Sequence, residues 1–402
     1  MIMGKSVLIV SLLVFIGCDV FFTSSPEEGE TFDQPLERLT PDQQLAFARG
    51  DEAFEKRFSF AEGLGPTFVQ PSCESCHSGD GKGHPRTNLT RFQRNDGNIV
   101  DLLTEFGGPQ LQNRSLPGVP PEVIPTHANA ISVRSGPTVF GLGLIEAISD
   151  ITILRNADPN DLDTDGISGR PNFVIPPEWV VDALDLKGNL YIGRFGRKAG
   201  TAFLLQQVAT AYLQDIGITS EFLPQENAHP QAGILGDDVS DPEVSAAVVN
   251  DVVFYLRTLA PPKRGLISTP VQRGETLFSE IGCAKCHVPT MRTGTHPSIA
   301  ALSNVDVNLY SDLLLHDMGD ELADNFIEGE ATGKEWRTTP LWGLRLYEEH
   351  LGGTAFYLHD GRTTDLQEAI RFHGGEADSA RNRFLALPPD NLQALLAFLR
   401  SL

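Results

Sequence analysis

The chain has 402 residues, enough for two domains, and 41% of them are apolar, which supplies real cores. Its 53 acidic side chains outnumber 31 basic ones, for a formal net charge of −22. That balance excludes generic affinity for nucleic acid, a polyanion that needs a cationic partner surface. The same acidity would steer a positively charged partner inward, or serve solubility alone.

In chain order, Lys5 is followed by an apolar run through Ile16, the architecture of an export signal and too short for a dependable membrane span. Residues 1–17 read as a signal peptide. Phe15-Ile16-Gly17-Cys18 resembles a bacterial lipoprotein processing site, which would lipidate Cys18 and hold the protein on the periplasmic, extracytoplasmic face of a membrane. Ordinary signal cleavage nearby is the alternative. Residues 18–38 then read as a polar, flexible tether.

Thr40-Pro41 predicts a capped helix start with proline in the first turn, and Leu45, Ala48, Ala53, Phe54 and Phe58 supply its apolar side. Cys73-Glu-Ser-Cys76-His77 follows. The same arrangement returns later, where Thr269-Pro270 opens a helix and Cys283-Ala-Lys-Cys286-His287 follows it. Arg49-Gly50 with Phe54 is echoed by Arg273-Gly274 with Phe278, which indicates an internal duplication with a longer loop before the first cysteine pair. The two segments use four of the five cysteines. In each, two thiols at this spacing can form thioethers to one porphyrin while the adjacent imidazole takes an axial position on iron, so both read as covalent c-type haem sites. A thioredoxin-like pair leaves the following histidine unexplained, and one zinc joining four thiols makes both histidines incidental.

Between these segments lie a glycine-rich turn, Phe140-Gly141-Leu142-Gly143-Leu144, and an expected helix from Leu204 to Leu213. Asp161, Asp163 and Asp165 before Gly166 have the spacing of half a calcium loop, although Asn172 stands where a bidentate glutamate is expected. An Asx-turn loop without metal is the plain reading of the same residues. Asp241-Pro242 starts an amphipathic helix that Pro261-Pro262 stops, and Pro388-Pro389 precedes a second one carrying Leu392, Leu395, Leu396 and Leu399. The expected fold is mainly α: two cytochrome c-like domains, 39–262 with a large insertion and 263–402, joined by long irregular loops with room for short strands.

Taken together, the two haem segments with Gly141-Leu142-Gly143-Leu144-Ile145-Glu146-Ala147-Ile148, Leu315-His316-Asp317-Met318-Gly319, Trp336-Arg337-Thr338-Thr339-Pro340-Leu341-Trp342-Gly343-Leu344 and Leu358-His359-Asp360-Gly361-Arg362 resemble the di-haem oxidoreductase family related to bacterial di-haem cytochrome c peroxidases and MauG. The resemblance implies an exported enzyme with one haem for hydrogen peroxide or oxygen chemistry and one for electron transfer. His77 and His287 carry over as proximal iron ligands. In peroxidase relatives a methionine ends the segment matched here by Glu368-Ala369-Ile370-Arg371-Phe372-His373, and MauG-type proteins use tyrosine, so His373 occupies the ligand slot of the second haem. A bis-histidine iron has a lower potential than a histidine–methionine one. If His373 is instead a surface histidine, His316 or Met318 replaces it.

Glu146 is the candidate acid–base residue above the first haem, because relatives place a glutamate after such a turn and peroxide cleavage needs a proton moved between its two oxygens. Capping a helix or binding an arginine is its structural alternative. The resemblance also implies calcium between the haems, a relay or structural part for His359, and a place near the first haem for His127. Arg337 suits a haem propionate. Trp336 and Trp342 are electron relays or packing. The functional expectation is an exported di-haem c-type oxidoreductase of peroxidase type, with a non-enzymatic di-haem electron carrier as the alternative.

Overall fold

The computed structural model describes residues 31–97, 99–180 and 189–402; the signal peptide, Cys18 and the start of the tether lie outside the described residues. Two helix pairs frame the anchors. In the first half the helix Pro41–Glu55 begins with a reciprocal cap, in which the Thr40 hydroxyl accepts from the Gln43 backbone N–H and the Gln43 side chain accepts from that of Thr40. It packs on the helix Ala246–Thr258. A Cβ at Gly50 would collide with the Asp251 carbonyl oxygen and Tyr255 Cβ, so glycine sets the closeness of this crossing. In the second half the helix Thr269–Glu280 packs on Pro389–Leu399, and a Cβ at Gly274 would collide with the Ala394 carbonyl and Phe398 Cβ. The duplicated Arg-Gly-Phe pattern therefore has a duplicated mechanical use.

The closing helix of the first half starts at Ala246 rather than near Pro242. Ser245 supplies the cap by accepting from Val248, while the Asp241 carboxylate accepts from the Thr219 hydroxyl. The helix expected from Leu204 runs as Leu204–Ala211 and widens into a π turn, Tyr212–Ile216, ended by Gly217 at φ 72°.

The chain is a mixed α/β protein, not a mainly α one. Among the described residues, Leu89–Asn95 is the centre of a four-stranded antiparallel sheet with Val100–Asp101, Gln110–Leu111 and Ala130–Arg134. Two-stranded antiparallel ribbons pair Thr67–Phe68 with Arg114–Ser115, and Leu315–Asp317 with Glu335–Arg337, among others. Most of these strands are two or three residues long, too short to show a period-two pattern.

Packing also crosses the expected boundary at 262. The large core joins Phe47, Phe54 and Leu256 of the first half to Leu302, Leu313 and Trp342 of the second. The smaller core, with Phe278, Tyr310, Leu395 and Phe398, belongs to the second helix pair. The described end of the tether is docked as well. Phe32 is 1% exposed and stacks on His350 with ring centroids 3.9 Å apart, and Leu36 N donates to Thr258 O at 2.7 Å. Burying an aromatic ring outweighs the entropy of a free strap at this point.

Candidate functional site

The two anchors have matching local frames. His77 N donates to Cys73 O and His287 N to Cys283 O, each at 3.0 Å, so both motifs fold as the same tight turn. Phe54 lies 6.3 Å from the His77 ring and Phe278 lies 6.2 Å from the His287 ring. Burial pushes the thiols of Cys73, Cys76 and Cys283 up to about 12, and it pulls both His77 and His287 down to about 4. Neutral imidazoles are the form that binds iron.

At the second anchor His287 Nδ1 lies 2.9 Å from the Tyr310 carbonyl oxygen. A carbonyl only accepts, so Nδ1 carries the proton and Nε2 keeps its lone pair for a metal. The support continues outward, with the Tyr310 hydroxyl donating to Glu275 at 2.9 Å and Arg264 holding Glu275 at 3.0 Å. His373, at the end of the helix Leu366–Arg371, repeats the device: its Nδ1 donates to Ala369 O at 2.8 Å. Burial lowers its pKa too.

Cys283, Cys286, His287 and His373 all line one cavity of about 260 Å³, walled by apolar residues such as Phe278, Leu341 and Ile370. A positive charge on His373 would oppose one on His287, which places the two rings within electrostatic reach. Arg337 also lines this space, fully inside, with Nε donating to Gly196 O at 3.0 Å and Nη1 to Thr338 O at 3.2 Å. Two thiols, two imidazoles that each keep Nε2 free of a carbonyl partner, apolar walls and a buried cation suit a flat apolar ring bearing an iron and acidic groups. The residues fit a haem.

His316 has no free ring nitrogen to offer a metal, whereas Met318 lines the cavity with the other candidates. Both ring nitrogens of His316 are taken, Nε2 by Asp312 at 2.9 Å and Nδ1 by Glu376 at 2.7 Å. Burial opposes charge on this ring, yet Asp312 first, then Cys286 and Glu376, raise its pKa well above the ordinary value, which favours an imidazolium clamped between carboxylates. Trp336, opposite His316 in the short ribbon, stacks on His359 at 3.8 Å and 13° and donates Nε1–H to Leu322 O. Both rings line the cavity. Trp342 instead fills the large core beside Gly141 and Phe140.

At the first anchor the Tyr212 hydroxyl is closed to solvent with no hydrogen-bond partner among the described residues, an orphan polar atom of the kind a bound group satisfies, while the backbone of Pro137 and Gly81 acts against burial at His77. The Cys73 charge, if formed, would be felt at Tyr212. Gly136 presses on the His77 ring, where a Cβ would stand 2.8 Å from Cε1.

A family model described as "Di-haem oxidoreductase, putative peroxidase" matches residues 126–402. The chain belongs to this family. The matched span contains the second anchor, Arg337 and His373, and begins after the first anchor. No curated protein matches the chain. Among solved structures, a MauG-like protein associated with microbial copper homeostasis is similar at 15% identity and TM-score 0.40, over 95% of each chain. Kuenenia stuttgartiensis hydrazine synthase pressurised with 20 bar xenon is similar at 14% identity and TM-score 0.36, over 99% of this chain and 100% of that one.

Three expectations for this di-haem oxidoreductase change with the structure. Glu146 accepts from Arg257 Nε at 2.6 Å and Nη2 at 3.3 Å, and from Leu204 N at 2.9 Å at a helix start. A carboxylate held by a guanidinium and a helix start is the geometry of its structural alternative. The acidic loop gathers Asp158, Asp161 and Asp163, while Asp165 turns away to pair with Lys285 at 2.5 Å, between the second pair of thiols. His127 is exposed and packs edge-on against Phe106 at 4.6 Å. Sequence reasoning also missed Lys82 and Arg197, two buried cations on the cavity wall, because neither lies in a recognisable motif.

Proposed function

We propose that this di-haem oxidoreductase is an exported c-type enzyme of peroxidase type, with covalent haems at Cys73, Cys76, His77 and at Cys283, Cys286, His287, built on two cytochrome c-like helix pairs. When bound, the haem at the first anchor would supply an iron for reduction of hydrogen peroxide to water, and the haem at the second an iron for single-electron delivery. His287 and His373 would hold the second iron, with the Tyr310 and Ala369 carbonyls fixing their tautomers. Arg337 would neutralise a propionate. Electrons would come from an external donor protein or small redox molecule, which the acidic surface would attract if cationic. Lipidation of Cys18 would keep the protein at the extracytoplasmic membrane face.

The observation that supports this reading is that His287 and His373 line one largely apolar cavity together with Cys283 and Cys286. A redox carrier with two saturated irons would share the anchors, but family membership favours the enzyme. Low-temperature electron paramagnetic resonance on wild type and His373→Ala tests it. The expected result is a low-spin signal that His373→Ala removes, beside a second haem whose spectrum responds to cyanide or azide. Two signals that neither the variant nor added ligand alters would sink the proposal.

A further inference from the structure

Lys82, Arg197 and Arg337 share a property that packing alone does not explain. Each is buried, each lines the cavity at the second anchor, and among the described residues none has a carboxylate in hydrogen-bond contact. Lys82 Nζ donates to Phe356 O and Leu358 O, at 2.5 and 3.1 Å, and Arg197 donates to Ser135 O at 3.0 Å and Gly136 O at 3.3 Å. The nearby carboxylates are already engaged: Asp360 with Arg362 at 2.9 Å, and Asp312 with His316 at 2.9 Å. Burial depresses the pKa of all three, to about 10 for each arginine and well below the usual value for Lys82. Three positive charges in an apolar enclosure are costly without anions.

Two of the three are also tied to the other anchor. Lys82 follows His77 on the same loop, and Arg197 binds the carbonyls of Ser135 and of Gly136, the glycine that presses on the His77 ring.

We propose that Lys82, Arg197 and Arg337 form one cationic seat for the propionate carboxylates of the haem at the second anchor, and that the seat turns that haem's acidic edge toward the segments holding His77. The inference rests on the haem reading above. Arg337 contributes from the ribbon, while Lys82 and Arg197 reach in from the first half of the chain. The seat thus joins the two centres through side chains that touch the cofactor of one and the backbone framing the ligand of the other. Its positive field favours the reduced state of the second haem.

The test is spectroelectrochemical titration of the full-length holoprotein as wild type, Lys82→Met, Arg197→Gln and the charge-keeping Arg197→Lys, with Arg292→Gln as a surface control. Haem content is measured by pyridine haemochrome. Because thioethers retain the haem, the neutral variants should keep two haems while the reduced-to-oxidised ratio of the second haem at a fixed potential falls about tenfold. Arg197→Lys and Arg292→Gln should stay near wild type. Unchanged ratios in both neutral variants with full haem content overturn the seat. Resonance Raman spectra of the wild type need no variant. Propionate bending modes at hydrogen-bonded frequencies are expected, and solvent-exposed frequencies at the second haem overturn the inference even if a variant fails to fold. A wild type lacking haem at the second anchor refutes the proposed function instead.

Discussion

His287 and His373 each commit Nδ1 to a backbone carbonyl, and this second bond does as much for the site as the choice of histidine. His373→Met should keep the second iron six-coordinate and raise its potential, because thioether favours the ferrous state more than imidazole does. A redox titration showing a fall would contradict the assignment. Glu146→Gln should destabilise the protein by about 1–3 kcal/mol, the cost of leaving the half-buried Arg257 guanidinium without its carboxylate. Thermal melts with haem spectra unchanged check this, and a loss of peroxide turnover without a loss of stability would return the acid–base role to Glu146.

The His316 clamp has a defined pH window. Glu376 is buried, which alone would raise its pKa, but the His316 hydrogen bond and others bring it down from 4.5 to about 2. That contribution is present above about pH 4.5 and fades as pH falls toward 2. His316 is raised above 6.5, so its contribution is complete below that value and fades as pH climbs through the folded-state value. His316→Gln should therefore cost about 3–5 kcal/mol, the price of a broken buried ion pair, with the largest loss between pH 4.5 and 6.5. Denaturant titrations across that range measure it, and a pH-independent loss would count against the charged clamp.

At the scale of elements, the two glycine crossings set how closely each helix pair approaches. Gly50→Ala and Gly274→Ala should each destabilise by about 1–3 kcal/mol or more, since the added methyl meets backbone rather than a yielding side-chain tip. The effect of Gly274→Ala should extend to the His287 environment, because Phe278 of the same helix lies beside that ring and against Phe398. Melting curves read the first effect and the second haem's absorption bands the second. Equal stability to wild type at both positions would mean that the pairs are looser than the structure shows.

Over the whole molecule, one hydrophobic core draws residues from both sides of 262, so the halves are expected not to fold apart there. A fragment of residues 39–262 would lose Leu302, Leu313, Leu314 and Trp342 from its core and expose the apolar surface they cover. It should aggregate on expression, while the full chain stays monodisperse in size-exclusion chromatography. A soluble, cooperatively folding fragment would restore the simpler two-domain division.

The proposed local chemistry is legible from the chain alone. Cys-x-x-Cys-His is its own argument, since two thioethers and a ligand must be neighbours in sequence to serve one ring. The Thr40 cap and the four framing helices follow from local rules, and so does the repeat of Gly50 and Gly274. His373 could be named only through resemblance to relatives, because nothing in its immediate neighbourhood marks it as the ligand we propose to share an iron with His287, far away in sequence. Tertiary structure decided the rest. Glu146 has an arginine, Asp165 a lysine, and the clamp its second carboxylate only once distant segments meet, and strands of two or three residues exist only where a partner is supplied. Lys82 and Arg197 are two unremarkable cations on paper, and burial beside one cavity is what gives them a use. Motifs record contacts between neighbours in the chain, whereas charge pairing and burial depend on contacts between residues that folding alone brings together.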